Sequence, residues 1–174
     1  MHRFLLTPFF CVAFFLSVGF QSRDANARFY EFTFVQKTPD GATKKQKSVV
    51  FVRKEGRFLK MFDIASSQQF AGSIDPDKEM SFRLTDAFAH VKGGSGTTLK
   101  LHGSFGDKEL SGSIVQLSEK YTVEVTALEL SSVWACSNHD KPVHTAKSEE
   151  EMRDLTAKYQ CERWHKLNSS GMPF

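Results

Sequence analysis

Residue types that bind metals or move protons gather near the C-terminal end of the chain. His139, Asp140 and His144 lie between Cys136 and Cys161, and His165 follows the second cysteine. Imidazole, carboxylate and thiolate are the ligand types zinc takes. The spacing fits no standard site, because His139 and His144 are five apart on a loop containing Pro142, not on one helix face as in H-E-x-x-H. The two cysteines also have a competing use. If they are oxidised to a disulfide, no thiolate remains for a metal, and closing the loop between them contributes about 3–4 kcal/mol by chain entropy. A disulfide is the favoured reading of Cys136 and Cys161, with a small metal site or enzyme built on His139, Asp140 and His144 as an alternative.

Other catalytic groupings are weaker. The sequence holds no G-x-S-x-G elbow and no Walker loop. Gly93-Gly94-Ser95-Gly96 is glycine-rich but lies between two strand-like stretches, and a phosphate cradle needs a following helix N-terminus. His90 and His102 flank it on neighbouring expected strands, and alternation points His102 towards water. Carboxylates are plentiful (Asp63, Asp86, Glu124, Glu129), but spacing alone pairs none of them into an acid–base couple. No catalytic residue and no cofactor is assigned.

The elements that would position these groups are strands. Tyr30, Phe32 and Phe34 alternate with Glu31 and Thr33. Met80, Phe82 and Leu84 alternate with Ser81 and Arg83. Leu99 and Leu101 alternate with Lys100 and His102, and Tyr121, Val123 and Val125 with Thr122, Glu124 and Thr126. Period two puts one set on a buried face and the other in water, as antiparallel sheets require. Turn residues separate the runs: Pro39-Asp40-Gly41, Glu55-Gly56, Asp75-Pro76-Asp77 and Gly106-Asp107. Strands are expected at 28–36, 46–54, 57–64, 68–74, 79–85, 87–92, 97–104, 109–117 and 120–130. With no room for crossover helices, the fold class is mainly β with one C-terminal helix, an antiparallel up-and-down meander forming a small barrel or sandwich. Gly72, Gly103 and Gly112 suggest bulges or sharp bends.

The last third changes period. Ser148-Glu149-Glu150-Glu151 has the form of a capping box. Met152, Leu155 and Tyr159 make an apolar stripe that would lie against the sheet. Acid-before-base pairs at i,i+4 (Glu149/Arg153, Asp154/Lys158, Glu162/Lys166) carry the expected helix over 148–167, with Cys161 on it. The four regions are then 1–27, a signal peptide; 28–136, an antiparallel β domain; 137–167, a loop and helix packed on it; and 168–174, a flexible tail.

Residues 1–27 read as an export leader. Arg3 precedes an apolar run from Phe4 to Phe20, and Ala25-Asn26-Ala27 offers small residues where signal peptidase needs them. Cleavage after Ala27 removes Cys11 and leaves 21 basic and 19 acidic residues. A near-neutral chain gives no support for nucleic acid as a partner. The short basic run Lys44-Lys45-Gln46-Lys47 is best read as solvated. The expected product is secreted or periplasmic, with no membrane insertion after cleavage.

The remaining signal is aromatic. Eleven phenylalanines follow Ala27, most of them in the first half. Core packing is the ordinary use of such residues. If the strands close into a barrel, an aromatic interior can instead hold one small ligand. The expected function is therefore non-catalytic binding, with a small apolar ligand contacting Tyr30, Phe32, Phe34, Phe51 and Phe82. The alternative is a protein-interaction module whose partner, another protein, docks on an exposed sheet edge or aromatic patch.

Overall fold

The computed structural model describes residues 24–38, 40–84, 97–115, 122–136, 144–161 and 163–172. Eight strands follow one another in antiparallel order: β1 (Ala27–Lys37), β2 (Thr43–Glu55), β3 (Phe58–Asp63), β4 (Gln69–Ile74), β5 (Glu79–Arg83), β6 (Thr98–His102), β7 (Glu109–Val115) and β8 (Thr122–Leu130). Each pairs with the next, and β8 returns to pair with β1 over Phe29↔Leu130 to Lys37↔Thr122. The meander is thus a closed barrel, which removes the two free edges an open sheet would leave. The expected strand at 87–92 lies outside the described residues.

The registers assign every side chain to a face. Tyr30 stands opposite Val50 and Glu129, and Phe32 opposite Ser48 and Ala127. Following these pairs around the barrel places Leu59, Met61 and Asp63 of β3, Phe70 and Gly72 of β4, Met80 and Phe82 of β5, and Leu99 and Leu101 of β6 inside. Nearly all of these apolar side chains are buried in one cluster with Tyr30, Phe32, Leu110, Val125 and Ala127. Burying each large one contributes about 1.5–3 kcal/mol.

Two inward glycines let the barrel close tightly. A Cβ on Gly112 would stand 1.8 Å from the Lys100 carbonyl oxygen, and one on Gly72 would stand 2.5 Å from the Phe82 ring. The ladders run through both positions without a slipped register, so these are close approaches rather than bulges.

The C-terminal unit is a second, smaller structure. Strand β9 (Trp134–Cys136) is flanked by β10 (His144–Ala146) and β11 (Trp164–Lys166), and helix α1 spans Glu149–Tyr159. Cys136 and Cys161 form a disulfide. The Ser148 hydroxyl caps α1 by accepting from the Glu151 amide at 3.1 Å. The Glu151 carboxylate reaches back one residue further than a capping box requires, to the Lys147 amide at 2.8 Å.

The expected helix to residue 167 is corrected. It ends at Tyr159, where Gln160 takes a left-handed conformation (φ 56°) while its N–H still donates to the Thr156 carbonyl. Cys161 therefore lies beyond the helix, and residues 164–166 pair with β9 instead. The pairing of Glu162 with Lys166 on a helix face is local and weak, about 0.2–0.5 kcal/mol. The disulfide and the β ladder outweigh it. Met152, Leu155 and Tyr159 are half-buried as the stripe predicts, but α1 packs by β10 rather than on the large sheet. In the tail, Ser169–Gly171 form a 3-10 turn, and the Ser169 carbonyl accepts from Arg53 at 3.1 Å.

Candidate functional site

Among the described residues, the barrel interior is filled at one end and leaves a cavity at the other, termed the open end. A cavity of about 450 Å³ occupies the open end. Its apolar wall is Phe32, Phe34, Val50, Met61, Phe70, Leu84, Leu99 and Val123. Towards the mouth the inward positions turn polar: Gln36, Lys44, Gln46, Ser48, Asp63, Ser66 and Gln68. These residues come from the far half of β1, the near half of β2 and the β3–β4 turn. All but those in the turn are inward by the same alternation that buries the core.

Asp63 organises the polar side. Its Oδ1 accepts from the Ser66 amide at 2.9 Å, and its Oδ2 from the Ser48 hydroxyl at 2.5 Å. Its own amide donates to the Gln68 carbonyl, closing the turn. Next to this turn, β2 is longer than its neighbour. β3 pairs with β2 only from Val50 onward, so among the described residues Thr43–Ser48 form a stretch of edge beside the cavity mouth.

The other end is plugged. Tyr30 is 1 % exposed, and its hydroxyl accepts from the Gly106 amide at 3.0 Å. Burial raises the phenol's pKa above its ordinary value, outweighing that hydrogen bond. The inward Arg28 meets the inward Glu129 at 3.1 Å and lies over the Phe105 ring.

The five residues expected to touch a ligand divide accordingly. Phe32 and Phe34 line the cavity. Tyr30 and Phe82 belong to the same buried cluster inside the barrel but do not line the cavity. Phe51 is not in the interior. It pairs with Phe29 on the outer face, with ring centroids 5.1 Å apart, and is nevertheless 0 % exposed. The C-terminal unit is anchored over this face by Lys147, whose Nζ donates to Glu31 at 2.8 Å, and by the contact of Arg53 with Ser169. Val133, Ala135, Cys136, Ala146 and Cys161 are buried with it. The run Val49-Val50-Phe51-Val52 is apolar on both faces because both faces are covered. Phe70, one of the early aromatics but not among the five, and the non-aromatic Met61 and Leu99 also line the cavity. Inward parity at the open end would have found them.

Only some of the candidate chemical groups fall among the described residues. His139, Asp140, His90 and Asp86 lie outside the described residues. His144 is stacked on Tyr159 with centroids 4.0 Å apart. His102 is exposed, 3.7 Å from Glu79, on the outer face. Among the described residues no three His, Cys, Asp or Glu side chains are grouped to hold a metal, and the cysteine sulfurs are bonded to each other. Among the described residues the exposed large apolar side chains are Phe58, Val115 and Leu128, on strands β3, β7 and β8. No described helix is long and apolar enough to cross a membrane.

No protein-family model matches the chain and no curated protein matches it, so the chemistry of the cavity is what a function has to be read from.

Proposed function

We propose that this is an exported, non-catalytic binding protein that carries a small, largely apolar ligand in the open end of its barrel. The observation that carries the reading is the cavity itself. A volume of about 450 Å³, walled by Phe32, Phe34, Phe70, Met61 and Leu99 and rimmed by amides, hydroxyls, Asp63 and Lys44, has the build of a small-molecule site: apolar surface for affinity, a few polar groups for orientation. Export is supported by the leader-like residues 1–27 and agrees with the Cys136–Cys161 bond, since disulfides persist in oxidising compartments. The described part of the chain is compatible with a secreted or periplasmic protein.

The test is titration with the neutral fluorescent probe N-phenyl-1-naphthylamine. Wild-type protein should bind it with enhanced emission at one site. Val123→Trp, which projects bulk into the cavity, should weaken binding about tenfold or more, the scale of losing 1.4 kcal/mol. Phe58→Ala, at a side chain 72 % exposed on the outer face, should leave it unchanged. Undiminished binding in Val123→Trp would sink the proposal. The interaction-module reading has the free stretch of β2 in its favour, yet Lys44, Lys45 and Lys47 on that stretch are the residues that discourage strand addition.

A further inference from the structure

Among the described residues, two carboxylates face into the barrel from opposite ends, and one of them, at the plugged end, is met by a cation. At the plugged end Glu129 is met by Arg28 at 3.1 Å, with both side chains largely buried. At the open end Asp63 lines the cavity, and among the described residues no cationic group lies within ion-pair distance of it. Its partners are neutral: the Ser48 hydroxyl and the Ser66 amide. Lys44 also borders the mouth, but it stands six positions along β2 from Val50, the residue opposite Asp63. At the rise of a strand that is about 20 Å.

An ionised carboxylate has roughly four acceptor positions, and the two protein donors leave the others available. The rest of the wall suits a positive charge as well. Phenylalanine faces are the negative side of the ring quadrupole and attract cations, and three such rings, Phe32, Phe34 and Phe70, line the same cavity. From this we infer that the ligand is a small amphipathic organic cation. Its primary or secondary ammonium donates to Asp63, and its apolar body lies on the phenylalanines. The inference rests on the cavity-binding proposal and names the ligand class for that site.

A plain structural use of Asp63 also exists, since Oδ1 holds the β3–β4 turn through Ser66. Asp63→Asn separates the two uses. The amide oxygen can still accept from Ser66, while the charge is gone.

The experiment is calorimetric titration of the full protein with octylamine, octanol and octanoate, three probes with one tail and three heads. Wild type should bind octylamine at least about fivefold more tightly than octanol, the worth of a partly exposed ion pair, and octanoate most weakly. In Asp63→Asn the preference for octylamine over octanol should disappear. Equal binding of octylamine and octanol by wild type, or a preference that survives in Asp63→Asn, overturns the ammonium assignment and leaves the cavity proposal standing. Tightest binding of octanoate overturns it too and moves the head group to Lys44. Failure of all three probes overturns the cavity proposal itself. The wild-type order of the probes decides the matter even if the variant does not fold.

Discussion

Tyr30 and Phe34 stand four residues apart on the same inward face of β1, yet they meet opposite surroundings. Tyr30 is sealed in the packed cluster, its hydroxyl held by Gly106. Phe34 is half-buried and borders open space. The strand geometry is the same at both, so the contrast arises from what the other strands present at that level. Around Tyr30 the barrel supplies Leu59, Met80, Leu101 and Leu110. Around Phe34 it supplies Val125 on one side and, towards the mouth, Gln36, Gln46, Ser48, Asp63 and Gln68. Large apolar chains interdigitate and fill; polar ones keep to the mouth, where their groups stay wet. A barrel of eight strands has room for either outcome, and this one uses both.

The comparison breaks first at its packed end. Leu101→Ala should lower unfolding stability by about 2–5 kcal/mol, the cost of a buried leucine plus the void left behind. Phe34→Ala should cost only about 1 kcal/mol, because that ring is half in contact already. Urea unfolding of the two variants measures both, and equal losses would mean the ends are packed alike. Next in size is the brace on the outer face. Replacing both Cys136 and Cys161 by serine should cost about 2–4 kcal/mol in the same assay. It should change probe affinity in the cavity by less than about twofold (a few tenths of a kcal/mol), since the bond lies outside the barrel.

The smallest effect concerns Glu31, which is 8 % exposed between Lys47 and Lys147. Burial pushes its pKa up, but the hydrogen bonds from Lys147 and Lys47 more than offset this and hold it below the ordinary 4.5. A carboxyl with a lowered folded-state pKa stabilises the fold above its unfolded value and loses that contribution as pH falls through the folded one. Glu31→Gln should therefore cost about 1 kcal/mol at neutral pH, where two half-exposed lysines can still rehydrate. The gap from wild type should close below about pH 4, in the ordinary range of glutamate titration. Thermal unfolding across pH measures this. A gap that persists in acid would show that Glu31 matters for its shape rather than its charge.

Much of this was legible locally. Alternation placed Tyr30, Phe32, Phe34, Met80, Phe82, Leu99 and Leu101 inward, and turn residues such as Asp75-Pro76-Asp77 marked where strands reverse. The cysteine pair announced its bond. Phe51 was not legible, because an apolar run hides its own parity and a strand covered on both faces needs no alternation. The helix end was not legible either: charge pairs continued past Tyr159, while the β9 ladder that stops the helix is drawn from residues 134–136. Asp63 looked like one carboxylate among many. Only the registers set it inside the barrel, opposite Val50.

By itself, then, the sequence determined most of the barrel strands, which face of most of them is apolar, and that a helix begins after Ser148, though not where it ends. These follow from periods of two and 3.6 residues, which act between near neighbours. The tertiary structure decided that the sheet closes rather than folds into a sandwich, through pairs as distant as Phe29 and Leu130. It also decided which inward residues plug the barrel, which are left around a cavity, and that Asp63 faces that cavity. Closure depends on twist and strand stagger summed over eight strands, a quantity that no single segment carries.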